Sequence, residues 1–353
     1  MRLSIVDLGT VAPNSTETDA LADALETARH AERHGFHRIW FAEHHMSPSG
    51  ASHHPELMIA AAAAVTSRIR VGSGSVLMNH YSPFKVAEMY KQLEVMTPGR
   101  IDLGMGRATG GPVVDLALQQ NRRQPHQADH QQQVLEVLAW LYGAFPEDHA
   151  FHGYTMSPSV PSNPQTWLLG SSPNGSNLAA GLGIGYTFAG FINPRAAAAA
   201  MRRYREAFQP QGFGLDRPRS VLAVNVTVGE TTDEGRYLAG SPKGFYARLA
   251  RVKRMDEAGK IMVPTAEEAA AEMTRAEKDE PTEIVAGQWP KFVAGGPDDV
   301  RATLERMADE SQADEIMIQD MIADPATRRR SHELLADVFD LPRGCETPAA
   351  RAG

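Results

Sequence analysis

Short β-rich runs alternate with longer stretches of helical periodicity along almost the whole chain. The first run, 3–7, is followed by a helical pattern around 18–34 that closes on Gly35. Further runs lie at 38–42, 69–73, 100–104, 166–169, 185–189, 221–228 and 314–318, which makes eight predicted strands. Helical patterns follow these seven at 55–66, 83–96, 127–142, 174–181, 194–208, 232–252 and 325–339, with an extra one at 297–309. Strand-helix alternation predicts a parallel sheet with crossover helices, and eight units predict closure into a (β/α)8 TIM barrel. A doubly wound open sheet is the architectural alternative.

Three stretches exceed ordinary connections and are expected as insertions at the carboxyl-terminal face, at about 108–126, 147–165 and 254–290. The last is charged and partly helical, as a mobile lid or a solvated surface insertion would be. A single barrel domain over 1–341 is therefore expected, with 342–353 as a flexible tail. Of the 353 residues, 42% are hydrophobic and 22% charged, and no apolar run is long enough to cross a membrane. The amino terminus has no signal-peptide pattern, which points to a cytoplasmic protein. The single cysteine, Cys345, supports neither a disulfide framework nor a thiolate metal cluster. A net charge of −8 offers no basic face to nucleic acid or anionic lipid, so small molecules and other proteins are the expected partners.

In a parallel barrel the loops at the carboxyl ends of the strands carry the chemistry. The second strand ends in Ala42-Glu43-His44-His45, which places two imidazoles where a proton can be given, taken or relayed near neutral pH. Adjacent strand residues point to opposite faces, so at most one histidine readily faces a pocket. After the third strand, Gly72-Ser73-Gly74-Ser75-Val76 offers small residues that let backbone approach a flat ligand, or merely a tight barrel corner. After the fourth, glycines flank Arg107, a guanidinium beside exposed amides that suits a phosphate. The spacing is neither a dinucleotide fingerprint nor a Walker motif. After the fifth, Gly170-Ser171-Ser172-Pro173-Asn174-Gly175-Ser176 presents hydroxyls and orphan amides at a helix start, suited to an anion or to simple capping. His44, His45, His53 and His54 lack the spacing of a zinc site, no G-x-S-x-G nucleophile elbow is present, and no metal is expected.

Taken in order, Trp40 to His45, Arg70 to Val76, Pro98 to Arg107 and the Gly170 to Ser176 loop resemble the bacterial luciferase-like flavin monooxygenases, from residue 1 to about 190 and again over 292–339. The resemblance implies a (β/α)8 barrel that binds flavin mononucleotide (FMN), reduced by a separate NAD(P)H:flavin reductase. It implies further that O2 reacts through a C4a-peroxyflavin to oxygenate a small organic substrate. It assigns His44 to the active site, Gly74 and Ser75 to a non-proline cis peptide against the isoalloxazine, and Arg107, Ser171, Ser172, Gly175 and Ser176 to the phosphate. It also implies a homodimer through helices near the second and third strands. Gly106 departs from the light-emitting members, which carry cysteine there, so bioluminescence is not implied. A deazaflavin (F420)-dependent hydride-transfer oxidoreductase and a non-catalytic flavin-binding protein are the alternative readings.

Overall fold

The computed structural model describes residues 1–107, 110–119, 129–156, 162–252 and 260–343. Eight parallel strands close on one another as predicted: β1 (Arg2–Asp7), β2 (Arg38–Phe41), β3 (Arg70–Ser73), β5 (Ile101–Gly106), β6 (Gln165–Gly170), β7 (Gly185–Ala189), β8 (Ser220–Val228) and β10 (Glu315–Gln319). Closure is made by β10, which pairs with β1 on one side and β8 on the other. Two short strands were not expected: β4 (Val76–Leu77) runs beside the end of β5, and β9 (Phe292–Gly295) beside the end of β8.

The crossover helices are α1 (Glu17–Arg33), α2 (Pro55–Val65), α3 (Pro83–Met96), α5 (His130–Tyr142), α6 (Pro173–Leu182), α7 (Pro194–Ala207), the pair α8 (Thr232–Leu238) and α9 (Gly240–Arg251), and α13 (Pro325–Val338). The predicted extra helix is α12 (Pro297–Ser311). Proline opens α2, α3, α6, α7, α12 and α13. Its missing N–H is one the first helical turn would leave unpaired anyway, so each βα loop ends on a sharp helix start. The insertion at 108–126 contains a short helix, α4 (Pro112–Leu118), and the described part of 254–290 contains α10 (Ala266–Glu272) and α11 (Arg275–Lys278). Cys345 and most of the expected tail lie outside the described residues.

Alternation along each strand divides the core in two. Outward residues such as Ile5, Ile39, Val71, Leu103, Leu168, Phe188, Val224 and Ile318 pack against the helices. Inward residues Val6, Trp40, Trp167, Val221, Ala223 and Met317 form a separate cluster inside the barrel. At the amino-terminal end the interior is ionic. Arg38 is 1% exposed and donates to Asp102 at 2.6 Å and to Glu315 at 2.8 Å, while Arg70 donates to Asp102 at 2.6 Å. Buried charges are tolerated only when paired this completely. Burial pushes the Asp102 carboxyl up, and the Arg38 and Arg70 charges more than offset it, holding its pKa below the ordinary range. Above this layer the rings of Trp40 and Trp167 meet edge to face, 5.7 Å apart at 65°, and fill the barrel interior with the inward-facing cluster.

Candidate active site

Four strand ends, those of β2, β3, β5 and β6, are neighbours in the barrel wall and bring together the residues singled out in the sequence. His44 follows β2. Its amide donates to the Ser52 carbonyl at 3.0 Å, and its own carbonyl lies 2.7 Å from His53 Nδ1, so the backbone is fixed from both sides. Ser52 in turn donates to the Ala42 carbonyl at 2.6 Å. The His44 imidazole has no hydrogen-bond partner among the described residues. The ring is solvent-exposed at the strand end, and the protein packed behind it crowds it from one side. That crowding lowers its pKa below the ordinary 6.5, the Glu43 charge opposing only in part, so the ring is neutral at pH 7 and free to accept a proton.

His45 points elsewhere, with Nε2 2.8 Å from Glu43 Oε1. Glu43 is a residue the sequence reading did not single out. Only 4% exposed, its carboxylate also accepts from the Tyr81 hydroxyl at 2.7 Å and from the Leu77 amide at 2.8 Å. Burial and the bond to Glu43 both raise the Tyr81 pKa, which keeps the phenol a donor. A carboxylate at the end of a buried strand was the one available signal, and its partners come from a different stretch of chain.

The Gly74-Ser75 peptide bond is cis. Both residues are half-buried and border the mouth. The glycines around them answer to space. A Cβ on Gly104 would lie 2.1 Å from the Ser73 carbonyl oxygen, and one on Gly106 would lie 2.1 Å from Ser75 Oγ. The Ser75 side chain thus fills the room that a side chain at position 106 would need.

Gly106 pairs with Leu169, so Arg107 and the Gly170 to Ser176 loop leave adjacent strands side by side. Arg107 is exposed, and no described carboxylate neutralises its guanidinium. Its carbonyl is held by Asn79 Nδ2 at 3.0 Å. Across from it the loop backbone is pinned by Asn193 Nδ2 on the Ser171 carbonyl at 3.2 Å and by the Tyr186 hydroxyl on the Ser172 carbonyl at 3.3 Å. Ser172 occupies the N-cap of α6 without using its hydroxyl on the helix. A Cβ on Gly170 would meet no atom within 4 Å. Gly175 lies in the first turn, with Tyr186 behind it. Ser176 differs from its neighbours: fully buried, it donates its hydroxyl to the Pro173 carbonyl at 2.6 Å, so that proton is already committed within the turn.

A guanidinium and two serine hydroxyls with no partner among the described residues, beside a helix start, suit a phosphate, and a glycine-lined wall suits a planar ring. Residues 1–314 match the family described as luciferase-like monooxygenase. The chain belongs to the luciferase-like monooxygenases. It is 32% identical to the N-acetyl-S-alkylcysteine monooxygenase of Bacillus subtilis (strain 168), over 96% of this chain and 98% of that protein. Among solved structures, apo-MsnO8 superposes with a TM-score of 0.86 at 37% identity, covering 97% of this luciferase-like monooxygenase and 99% of MsnO8. Two more distant structures share the fold. They are the oxygenating constituent of 3,6-diketocamphane monooxygenase from Pseudomonas putida in complex with FMN, with a TM-score of 0.68 at 20% identity over 95% of this chain and 96% of that one, and an F420-dependent secondary alcohol dehydrogenase, with a TM-score of 0.65 at 15% identity over 96% and 98%. As a luciferase-like monooxygenase the protein is a flavin-dependent oxidoreductase.

Proposed function

We propose that the protein is an FMN-dependent monooxygenase that uses reduced FMN and O2 to oxygenate a small organic substrate. The observation that carries this reading is the placement of unpaired Arg107 beside the Ser171-Ser172 turn, with the glycine wall between that pair and His44. Bound in its reduced form, FMN would supply the two electrons that let O2 give one oxygen atom to the substrate and the other to water.

The chain's own residues divide the remaining work. Arg107, Ser171 and Ser172 would hold the phosphate, joined by the backbone of Gly175 and Ser176. Gly74 and Ser75 would pack against the ring. His44, neutral at pH 7 and open to the cavity, is placed to accept and return a proton. The buried Trp40–Trp167 pair would keep water from the side of the barrel behind the ring. Electrons would come from a separate NAD(P)H:flavin reductase in the cytoplasm. A homodimer is supported by exposed apolar side chains on α2 and α3, where Leu57 is 66% and Met96 62% exposed.

The experiment charges the protein anaerobically with reduced FMN and admits ¹⁸O2 in the presence of a panel of S-alkylated N-acetylcysteines, the class named by the Bacillus relative. One ¹⁸O atom in the organic product supports the reading. Product labelled only from water contradicts it.

A further inference from the structure

His30 and His34 stand one helical turn apart at the end of α1, and Glu333 faces them from α13. One ligand atom from each of the three lies within 4.8 Å of the other two. Three points so spaced fit within a circle of radius 4.8 Å/√3, about 2.8 Å, against the roughly 2.0–2.2 Å of zinc bonds to nitrogen and carboxylate oxygen. Small side-chain rotations close a gap of that size.

Two of the donors are otherwise unexplained. His30 is 4% exposed, yet among the described residues its Nε2 has no hydrogen-bond partner, and neither does His34 Nδ1. Buried polar atoms in folded proteins are ordinarily paired. The rings stack 4.3 Å apart, which packs them without satisfying these nitrogens. Burial, reinforced by His332, His34, Arg33 and Arg329, holds the His30 pKa at about 3, and burial also lowers that of His34. A neutral imidazole keeps one ring nitrogen lone pair that a metal can take. The cations Arg33, Arg329 and Arg343 act against a dication, while Glu333 and Asp337 act for it. Glu333 accepts from Arg330 at 2.8 Å through one oxygen and keeps the other.

We propose that His30, His34 and Glu333 bind a zinc-class divalent cation that staples the first helix of the barrel to its last. Two imidazoles and a carboxylate with one position left to water form a borderline-soft donor set that selects zinc over magnesium. The position is structural in character, because α1 leads directly into the amino-terminal end of β2, away from the mouth that holds His44.

Full-length protein stripped with EDTA and desalted is titrated with zinc chloride by calorimetry, and its thermal midpoint is followed with and without zinc. One zinc per chain is expected. At a hundredfold excess over Kd the midpoint should rise by about 4 °C, with no rise from magnesium. His34→Gln and Glu333→Gln should each weaken zinc binding at least tenfold and abolish the rise, while binding reduced FMN as the parent does. No one-to-one binding by the parent, or equal binding by both variants, overturns the proposal.

Discussion

The carboxylate of Glu43 accepts a hydrogen bond from the Leu77 amide at 2.8 Å, tying the strand end that carries His44 to the segment just past the Gly74-Ser75 bond. The same side chain holds His45 and Tyr81, so three donors converge on one buried acceptor. Removing it strands all three, at about 1–3 kcal/mol for an unsatisfied buried group. Glu43→Ala should lose about 3 kcal/mol in urea denaturation and bind reduced FMN more weakly. A loss below about 1 kcal/mol would show that the three donors find other partners.

Position 106 makes a different demand. Because a Cβ there would sit 2.1 Å from Ser75 Oγ, Gly106→Cys should displace Ser75 and lower flavin affinity at least tenfold. Combining it with Ser75→Gly removes the colliding atoms and should recover a large part of that loss. The two effects are then non-additive, as contacting residues require. Additive losses in the double variant would mean that Ser75 does not set the space at 106.

The lowered His44 pKa fixes the form of the acid limb of turnover. Above 6.5 the imidazole is neutral and able to accept a proton, and activity falls only as the pH drops through its lowered folded value. A kcat profile should inflect below pH 6.5, and His44→Gln should lack that inflection while retaining reduced FMN binding. An inflection that survives in His44→Gln belongs to another group.

His37 links pH to stability rather than to turnover. Burial holds its folded pKa at about 4, with the Glu315 charge opposing it and the Arg38 and Arg2 charges acting in the same direction as burial. A depressed histidine favours the neutral folded state, so its stabilising contribution is complete above 6.5 and is lost as the pH falls toward about 4, where the unfolded chain binds the extra proton. Urea midpoints should therefore fall between pH 7 and pH 5, and the fall should be shallower in His37→Gln. Equal slopes in the two proteins would assign the acid sensitivity elsewhere.

All eight barrel strands were legible in the sequence because each is a short β-rich run and most of the connections carry glycine or proline. The end of β5 was missed, since Gly104-Met105-Gly106 carries the residues of a loop. Those glycines answer instead to Ser73 and Ser75 across the strand. The strand β9 was missed because its four residues, just past a long charged insertion, give no period to read. Of the site, the strand-end positions followed from the barrel itself, whereas the supports did not. Glu43 reaches partners 34 and 38 residues away, and Arg38 reaches Glu315 across 277, distances at which no local pattern links the residues. The committed hydroxyl of Ser176 was equally invisible, because the bond that occupies it forms only once α6 has folded.

Anaerobic titration decides whether FMN is held by its phosphate between Arg107 and the Ser171-Ser172 turn. Affinities for reduced FMN, reduced riboflavin and reduced F420 are measured on the parent and on Arg107→Ala. The account predicts that the parent prefers FMN to both others. Arg107→Ala should lose about ten- to a hundredfold in FMN affinity, the 1.5–3 kcal/mol of a charge-assisted hydrogen bond, with riboflavin affinity unchanged. Equal losses for FMN and riboflavin, or a parent that prefers F420, would contradict it.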